Sequence, residues 1–411
     1  MLVIGGGVIG ASCAHFLAKA GARVQLIDKG EFGKGCSYGN SGVLTPSHLL
    51  PLCRPGMVST VLKTFFRKNS PLQLHLRFDL DFWTWLWRFA RRCNTADMLQ
   101  SAKARVALLQ SSRELYEQLI ADGELSDCDW ETGRLIQVYK SQKRFDDYAK
   151  IAQLLSEEFG VTARQLSAAE LLAEEPVLRP GVCGGWAHEG AARFRPERLM
   201  QAFRRRLELQ GVRIQERVEL IGLEQGDHSI SGVVTTAGRF DVDQVVFATG
   251  AWSRLLQDQL HVRIPIEPGK GYAITVPRPD PSPQSLLLLD ERRVLVTPFS
   301  NAMRLTAFME FAGYNSRVGT RRVKLIARGA SQYLKYPITR AVQEKWTGWR
   351  PMSSDGIPLI GAIPSLRNAW MAAGHGNIGI STATATGKLL SELITGQVPH
   401  IDPEPYRLDR F

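Results

Sequence analysis

No apolar run in this 411-residue chain is long enough to span a bilayer, so no transmembrane helix is expected. A secretory leader is not expected either, because Met1-Leu2-Val3-Ile4-Gly5 already reads as a buried strand entering a turn. The six cysteines, Cys13, Cys36, Cys53, Cys93, Cys128 and Cys183, form no C-x-x-C pair and no Cys/His cluster. Neither a metal site nor a disulfide framework follows from that spacing, and reduced thiols in a cytosolic protein are the plain reading. Internal repeats and low-complexity tracts are absent. The net charge is +11, yet the basic residues are scattered and match no nucleic-acid motif. Nucleic acid is therefore not expected as a partner. An acidic small substrate and an anionic membrane surface suit the charge better.

With 44% apolar and 22% charged residues, the chain has the material for a sizeable core, and its length suits two intimately packed domains. Met1–Ile4 reads as a strand. Val8, Ile9, Cys13, Phe16, Leu17 and Ala20 recur at helical spacing, Gly21 closes the helix, and Val24–Ile27 is a second strand. Residues 30–56 read as a long loop, 96–121 as a helix, 131–139 as a strand, and 142–158 and 168–173 as helices. A helix over 195–210 leads into strands up to Ala248. Further strands are expected at 270–276, 286–290, 293–297 and 303–310, a helix near 317–334, and a closing block of strands and helix from 345 to 396. The expected fold is α/β, with a Rossmann-like domain assembled from both chain ends (1–81, 196–256, 346–411). An α+β domain with a mixed sheet (82–195, 257–345) accompanies it.

Gly5-Gly6-Gly7-Val8-Ile9-Gly10 fits G-x-G-x-x-G between strand and helix. Gly5 permits the turn, Gly7 the approach of a pyrophosphate, and Gly10 close packing of helix on strand. The pyrophosphate would meet free N–H groups at the helix start, and Asp28 ends the second strand where a carboxylate accepts ribose hydroxyls. The bland alternative is a glycine-rich turn in an ordinary α/β protein. Three more segments bear on the cofactor. The loop Gly35-Cys36-Ser37-Tyr38-Gly39-Asn40-Ser41-Gly42 suits phosphates and a ribityl chain. An apolar strand ends in Ala248-Thr249-Gly250-Ala251-Trp252. Gly374-His375-Gly376-Asn377-Ile378-Gly379 opens a second glycine-rich helix.

These motifs, with Trp346-Thr347-Gly348-Trp349-Arg350-Pro351 and Asp355-Gly356-Ile357-Pro358, resemble the D-amino-acid oxidase superfamily of FAD-dependent oxidoreductases. The resemblance spans essentially the whole chain and is strongest toward bacterial D-amino-acid dehydrogenases, including members that act on D-hydroxyproline. It implies non-covalent FAD bound by Gly5, Gly7, Val8, Ile9, Gly10, Asp28, Lys29, Ser37, Asn40, Ser41, Gly42, Val218, Thr249, Gly250, Trp252, Gly374, His375, Gly376, Ile378 and Gly379. It implies that Arg350 holds the substrate carboxylate, a role that suits a planar fork of donors. Read alone, without the resemblance, Arg350 is better taken as a structural arginine paired with a carboxylate and stacked between Trp346 and Trp349. Tyr272 is a second candidate carboxylate contact, or else a buried tyrosine. His48 stands in a loop that carries a covalent flavin in some relatives, but Thr45-Pro46-Ser47-His48 does not match those cases.

The activity so implied is oxidation of a small D-amino or cyclic imino acid (D-alanine, D-proline or cis-4-hydroxy-D-proline type) in amino-acid catabolism, by hydride transfer from Cα to flavin. Electrons would pass to a quinone or another respiratory acceptor. Competing readings are a sarcosine- or glycine-type amine oxidase, the flavin subunit of a multi-subunit amine dehydrogenase, and a non-enzymatic dinucleotide-binding module. Residues 54–92 hold eight Lys/Arg against two Asp, interleaved with aromatics. They read either as a peripheral contact on the inner face of the cytoplasmic membrane or as an active-site lid packed inward.

Overall fold

The computed structural model describes residues 1–65, 69–336, 338 and 342–411. Leu2–Ile4 is a wholly buried strand, paired in parallel with Val245–Phe247 on one side and Gln25–Asp28 on the other. Ala369–Ala373 and Arg213–Glu216 extend this sheet in parallel, and Leu359–Ala362 closes one edge antiparallel. Between the first two strands in sequence runs the helix Val8–Lys19, which buries Val8, Ala11, Ala14, Phe16 and Leu17. It ends where Gly21 takes a φ of +87°, a backbone state glycine adopts freely. The closing helix Gly379–Thr395 packs on it so tightly that a Cβ on Gly387 would lie 2.5 Å from the Ser12 Oγ. Both chain ends therefore build one Rossmann-like layer.

The second layer is a mixed sheet described as ten-stranded, ordered Glu344–Ser353, Ile266–Pro277, Ala302–Phe311, Val294–Pro298, Leu286–Leu289, Glu131–Tyr139, Gly184–Arg193 and Val43–Leu44. Leu72–Leu74 and Arg164–Ser167 join it at the side. Helix Thr320–Ser331 covers one face, with Val323, Ile326 and Ala330 packed among Ile274, Val276 and Leu305. A small antiparallel sheet, Leu220–Gly226, Ser229–Thr235 and Gly238–Asp241, stands apart.

Three segments differ from the sequence reading. The loop expected over 30–56 contains the short strand Val43–Leu44 and a 3₁₀ turn at Pro46–Leu49. The helix near 317–334 is shorter, Thr320–Ser331. Glu344–Ser353 straddles the boundary drawn at 346 and lies wholly in the larger sheet, paired with Ile266–Pro277. Where Ala302–Phe311 pairs with Ile266–Pro277, the register shifts between Lys270 and Tyr272. The extra residue of that bulge leaves Phe308 at a φ of +69°, rare for a bulky side chain.

Candidate active site

A cavity of about 1730 Å³ lies between the carboxyl ends of the parallel strands and one face of the larger sheet. In open α/β sheets that is where ligands bind. Gly5, Gly7, Val8, Ile9, Asp28 and Lys29 line one end, with Ser37, Asn40, Ser41, Val218, Thr249, Gly250 and Trp252 beside them. His375, Gly376 and Gly379 line it from the start of the closing helix. Two helix N-termini therefore aim at one space.

The glycines act through what a side chain would displace. A Cβ on Gly10 would fall 1.8 Å from the Gly5 carbonyl oxygen, and one on Gly5 would meet the Ala248 oxygen at 2.4 Å. Gly10, Gly42, Gly374 and Ile378 do not line the cavity themselves; they shape the backbone that does. The Asp28 carboxylate accepts from Gly6 N (2.6 Å) and Gly30 N (2.7 Å), which fixes it at the cavity edge with lone pairs remaining. Ser37 Oγ accepts from Val8 N (3.0 Å) in the first turn of the helix. The Lys29 ammonium lies 4.1 Å from the Trp252 ring centre.

Sequence reasoning missed Arg304. It is buried in the larger sheet, and its Nη1 donates to the carbonyls of Tyr38 (2.9 Å) and Asn40 (3.1 Å). Its Nη2 pairs with Glu197, and its Nε donates to Thr275 Oγ1 (3.3 Å). The 37–42 loop is thus pinned to the second layer by one guanidinium. An arginine inside the apolar strand Ala302-Met303-Arg304-Leu305 was the available signal, since such a charge is almost never buried without partners.

Arg350 lines the cavity above Gly271, where a Cβ would fall 2.1 Å from Arg350 Nη1. That nitrogen donates to the Phe308 carbonyl at 2.8 Å. Among the described residues no carboxylate pairs with Arg350, and no ring stacks on it. Burial depresses its pKa, the Cys36 thiol beside it acting the opposite way. Burial in turn raises Cys36 to about 11. Trp346 instead lies across Gly39 and Gly348, and Trp349 packs against Trp252 and Tyr314. The reading of Arg350 as stacked between two tryptophans and paired to a carboxylate is corrected by these contacts.

Tyr272 also needs correction. Strand alternation turns it to the opposite face of the sheet, under the helix Thr320–Ser331, and it does not line the cavity. Its hydroxyl donates to Glu310, which also pairs with Arg322. Burial and that carboxylate hold the phenol above the usual range. It has no route to a substrate carboxylate. His375 bonds Thr386 Oγ1 through Nε2 (3.0 Å), and burial pushes its pKa down to about 3. His48 is lowered to about 4, by burial first and by Arg105 second. Both rings are neutral near pH 7. No group of His, Cys, Asp and Glu among the described residues has a metal-binding arrangement.

The fold and this cavity define a two-layer dinucleotide-binding protein whose cavity is lined at one end by a desolvated arginine. Residues 1–393 match the family described as DAO, FAD dependent oxidoreductase, and the chain belongs to it. It is 30% identical over its full length to a D-amino acid dehydrogenase of Cereibacter sphaeroides, covering 95% of that protein. The identity is also 30% to a D-amino acid dehydrogenase of Chromohalobacter salexigens, covering 99% of it. In architecture it is similar to glycine oxidase from Geobacillus kaustophilus, with a TM-score of 0.81, 24% identity and coverage of 100% and 98% of the two chains. FAD is the family's cofactor, and the residues present suit it: a side-chain-free turn, two helix starts and a carboxylate at the strand end.

Proposed function

We propose that the chain oxidises the Cα–N bond of a small D-amino acid or cyclic imino acid whose carboxylate is held by Arg350. The observation that carries this is a desolvated guanidinium facing a cavity without a carboxylate partner among the described residues. A buried cation in that state favours an incoming anion, and its planar fork orients a carboxylate as well as attracting it. FAD, when bound, supplies the two-electron sink that accepts the hydride from Cα.

The remaining work falls to the protein. Arg350, steadied by the Phe308 carbonyl, fixes the substrate so that Cα keeps one orientation. The substrate nitrogen enters unprotonated, and its lone pair forms the C=N bond as the hydride leaves Cα, giving an iminium, so no side chain need act as a base. His48 and His375, both neutral, suit that scheme. The N-terminus of Gly379–Thr395 faces the cavity, where its N–H groups stabilise developing negative charge. A primary imine is hydrolysed to a keto acid and ammonia; a cyclic imine leaves intact.

Full-length similarity to two proteins named D-amino acid dehydrogenase supports the D configuration and a non-oxygen acceptor such as a quinone. The same reading takes the cofactor half as 1–81, 196–256 and 346–411, less the strand up to Ser353 that the larger sheet holds, and the substrate half as 82–195 and 257–345. The glycine and loop residues named above hold the cofactor without a covalent link. An anaerobic screen of D- and L-amino acids for bleaching of the bound flavin tests the proposal. Bleaching by D-proline or D-alanine and not by the L forms supports it. Bleaching by glycine or sarcosine alone moves the chain to amine oxidation, and a flavin that none of them reduces removes the enzymatic reading.

A further inference from the structure

A second cation faces the same cavity. Arg54 lines it beside Tyr139, Tyr148 and the turn Asp290–Arg292. Among the described residues its guanidinium has neither a hydrogen bond nor an ion pair. The nearby Asp290 carboxylate is already taken by Arg144 (Nε, 2.6 Å) and Arg293 (Nη1, 3.1 Å). Asp147, which also lines the cavity, is exposed to solvent and makes no ion pair with Arg54. Burial first and the neighbouring Arg293 second act against the charged form of Arg54, and Asp290 acts for it only at a distance, without an ion-pair contact.

The polar groups around it are committed to one another. Tyr139 Oη donates to Gln137 Oε1 (3.0 Å), Gln137 Nε2 donates to Tyr148 Oη (2.9 Å), and Tyr148 Oη lies 2.8 Å from His188 Nε2. Burial holds His188 neutral, with a pKa of about 4. Arg54 therefore carries the donors left to meet a ligand.

Its place relative to Arg350 follows from the sheet. The last pair of the ladder between Val294–Pro298 and Ala302–Phe311 is Leu295 with Thr306, two residues from Arg293 on one segment and from Phe308, whose carbonyl holds Arg350, on the other. From Phe308 to Tyr139 the sheet crosses three strand intervals, roughly 10–15 Å in all. The floor between, Leu288 and Leu295, is apolar. An apolar floor with one unpaired guanidinium at each end suits a molecule with two anionic ends.

We propose that Arg54 is a specificity-determining residue that binds a second anionic group, so that the preferred substrates are amino or imino acids with an acidic side chain. This rests on the reading of Arg350 as the α-carboxylate anchor. The test begins without turnover. Glutarate and butyrate are titrated into the oxidised holoenzyme, and binding is read from the perturbation of flavin absorption. Glutarate is expected to bind about a hundredfold tighter than butyrate, the scale of a desolvated charge pair. Arg54→Gln should bring the two to parity while leaving butyrate affinity unchanged, and Arg54→Lys should restore part of the preference. The kcat/KM ratio of D-glutamate to D-alanine should fall in step. Parity of the two acids in the wild-type protein overturns the proposal, as does a glutarate preference that survives Arg54→Gln. The wild-type comparison stands even where a variant folds poorly. Arg350→Ala separates the two readings. If it leaves butyrate binding intact, the anchor fails; if it abolishes butyrate binding in a protein already at parity, only Arg54 fails.

Discussion

Arg350 Nη1 donates to the carbonyl of Phe308 at 2.8 Å, and Phe308 presents that carbonyl from a β-bulge at a φ of +69°. The positive φ costs backbone energy, on the order of 1–3 kcal/mol in such regions. It re-aims a carbonyl that a regular ladder would direct at the neighbouring strand. One nitrogen of the guanidinium is thereby fixed, and the rest of the fork is left to face the cavity.

Arg350→Ala should therefore leave a substrate carboxylate unpaired in a desolvated site, a loss of roughly 2–5 kcal/mol in kcat/KM for amino acids. FAD content and melting temperature should stay near those of the wild type, because no carboxylate among the described residues pairs with this arginine. Lysine keeps the charge without the fork and should recover part of the activity. Steady-state kinetics and a thermal melt on the same preparations decide the matter. A flavin-loaded alanine variant with near-normal kcat/KM removes Arg350 from the active site.

Gly10→Ala is expected to release FAD and lower the melting temperature. Its Cβ would fall 1.8 Å from the Gly5 oxygen, which is backbone and cannot rotate away. The helix must shift from the strand, at a cost of roughly 1–3 kcal/mol or more. Gly222→Ala is the control, since nothing lies within 4 Å of the added Cβ. Absorbance at flavin wavelengths after gel filtration gives the bound fraction. The same spectra after denaturation should show the flavin free in solution; colour retained on the precipitated chain would instead mean a covalent link.

What the sequence revealed was local. Gly5 to Gly10, the helix after it and Gly21 at its end depend on residues a few positions apart, and the structure places each where periodicity put it. Most elements from Glu131–Tyr139 to Ala302–Phe311 agree within a few residues for the same reason. The face a residue occupies was less legible. Tyr272 and Gly271 are neighbours, yet one is under a helix and the other beneath Arg350. A period of two makes that choice turn on a single position of register, which pairing with distant strands decides. The Phe308 bulge and the grip of Arg304 on the 37–42 loop likewise join segments far apart in the chain.

Four histidines give the fold a pH dependence. Burial lowers His15, His48 and His188 to about 4 and His375 to about 3. Unfolded, each titrates near its ordinary value of about 6.5. Between those limits the unfolded chain binds more protons, so stability is present above about pH 6.5 and is lost as pH falls toward 4. Each ring contributes a slope of up to about 1.4 kcal/mol per pH unit in that window. Melting temperatures from pH 7.5 to pH 4.5 should fall accordingly, and His188→Gln should flatten the curve. An unchanged slope in that variant would show that His188 titrates alike in both states.

The segment read as membrane contact or lid buries some of its aromatics and exposes others. Helix Leu80–Arg91 buries Phe82, Trp85 and Phe89, and Trp85 Nε1 donates to the Met352 carbonyl at 2.9 Å. Its other side exposes Leu80, Trp83 and Trp87, and Phe78 just before it is fully exposed. Helix Met57–Thr64 buries no residue at all, and Val58 and Leu62 face outward from it. Of the twelve large apolar residues exposed among the described ones, seven lie between Val58 and Trp87. Arg77 pairs with Asp79 and Glu267 and Arg92 with Asp97, while Arg254 draws on both aspartates of the segment, which leaves Lys63, Arg88 and Arg91 without an ion pair among the described residues. Apolar side chains beside uncompensated cations suit an anionic bilayer, where each Lys or Arg contributes about 1 kcal/mol and exposed apolar area about 25 cal/mol per Å². Met57, Thr60 and Thr64 also line the cavity, so a lipid-soluble acceptor would find its entrance at that surface. We expect the protein to float with vesicles containing anionic lipid at low salt, and to detach as salt rises. Trp83→Ser with Trp87→Ser should weaken flotation while anaerobic flavin reduction by substrate stays unchanged. A protein that remains in the aqueous fraction with anionic vesicles at low salt, and elutes there as a dimer, would assign this face to a second copy of the chain instead.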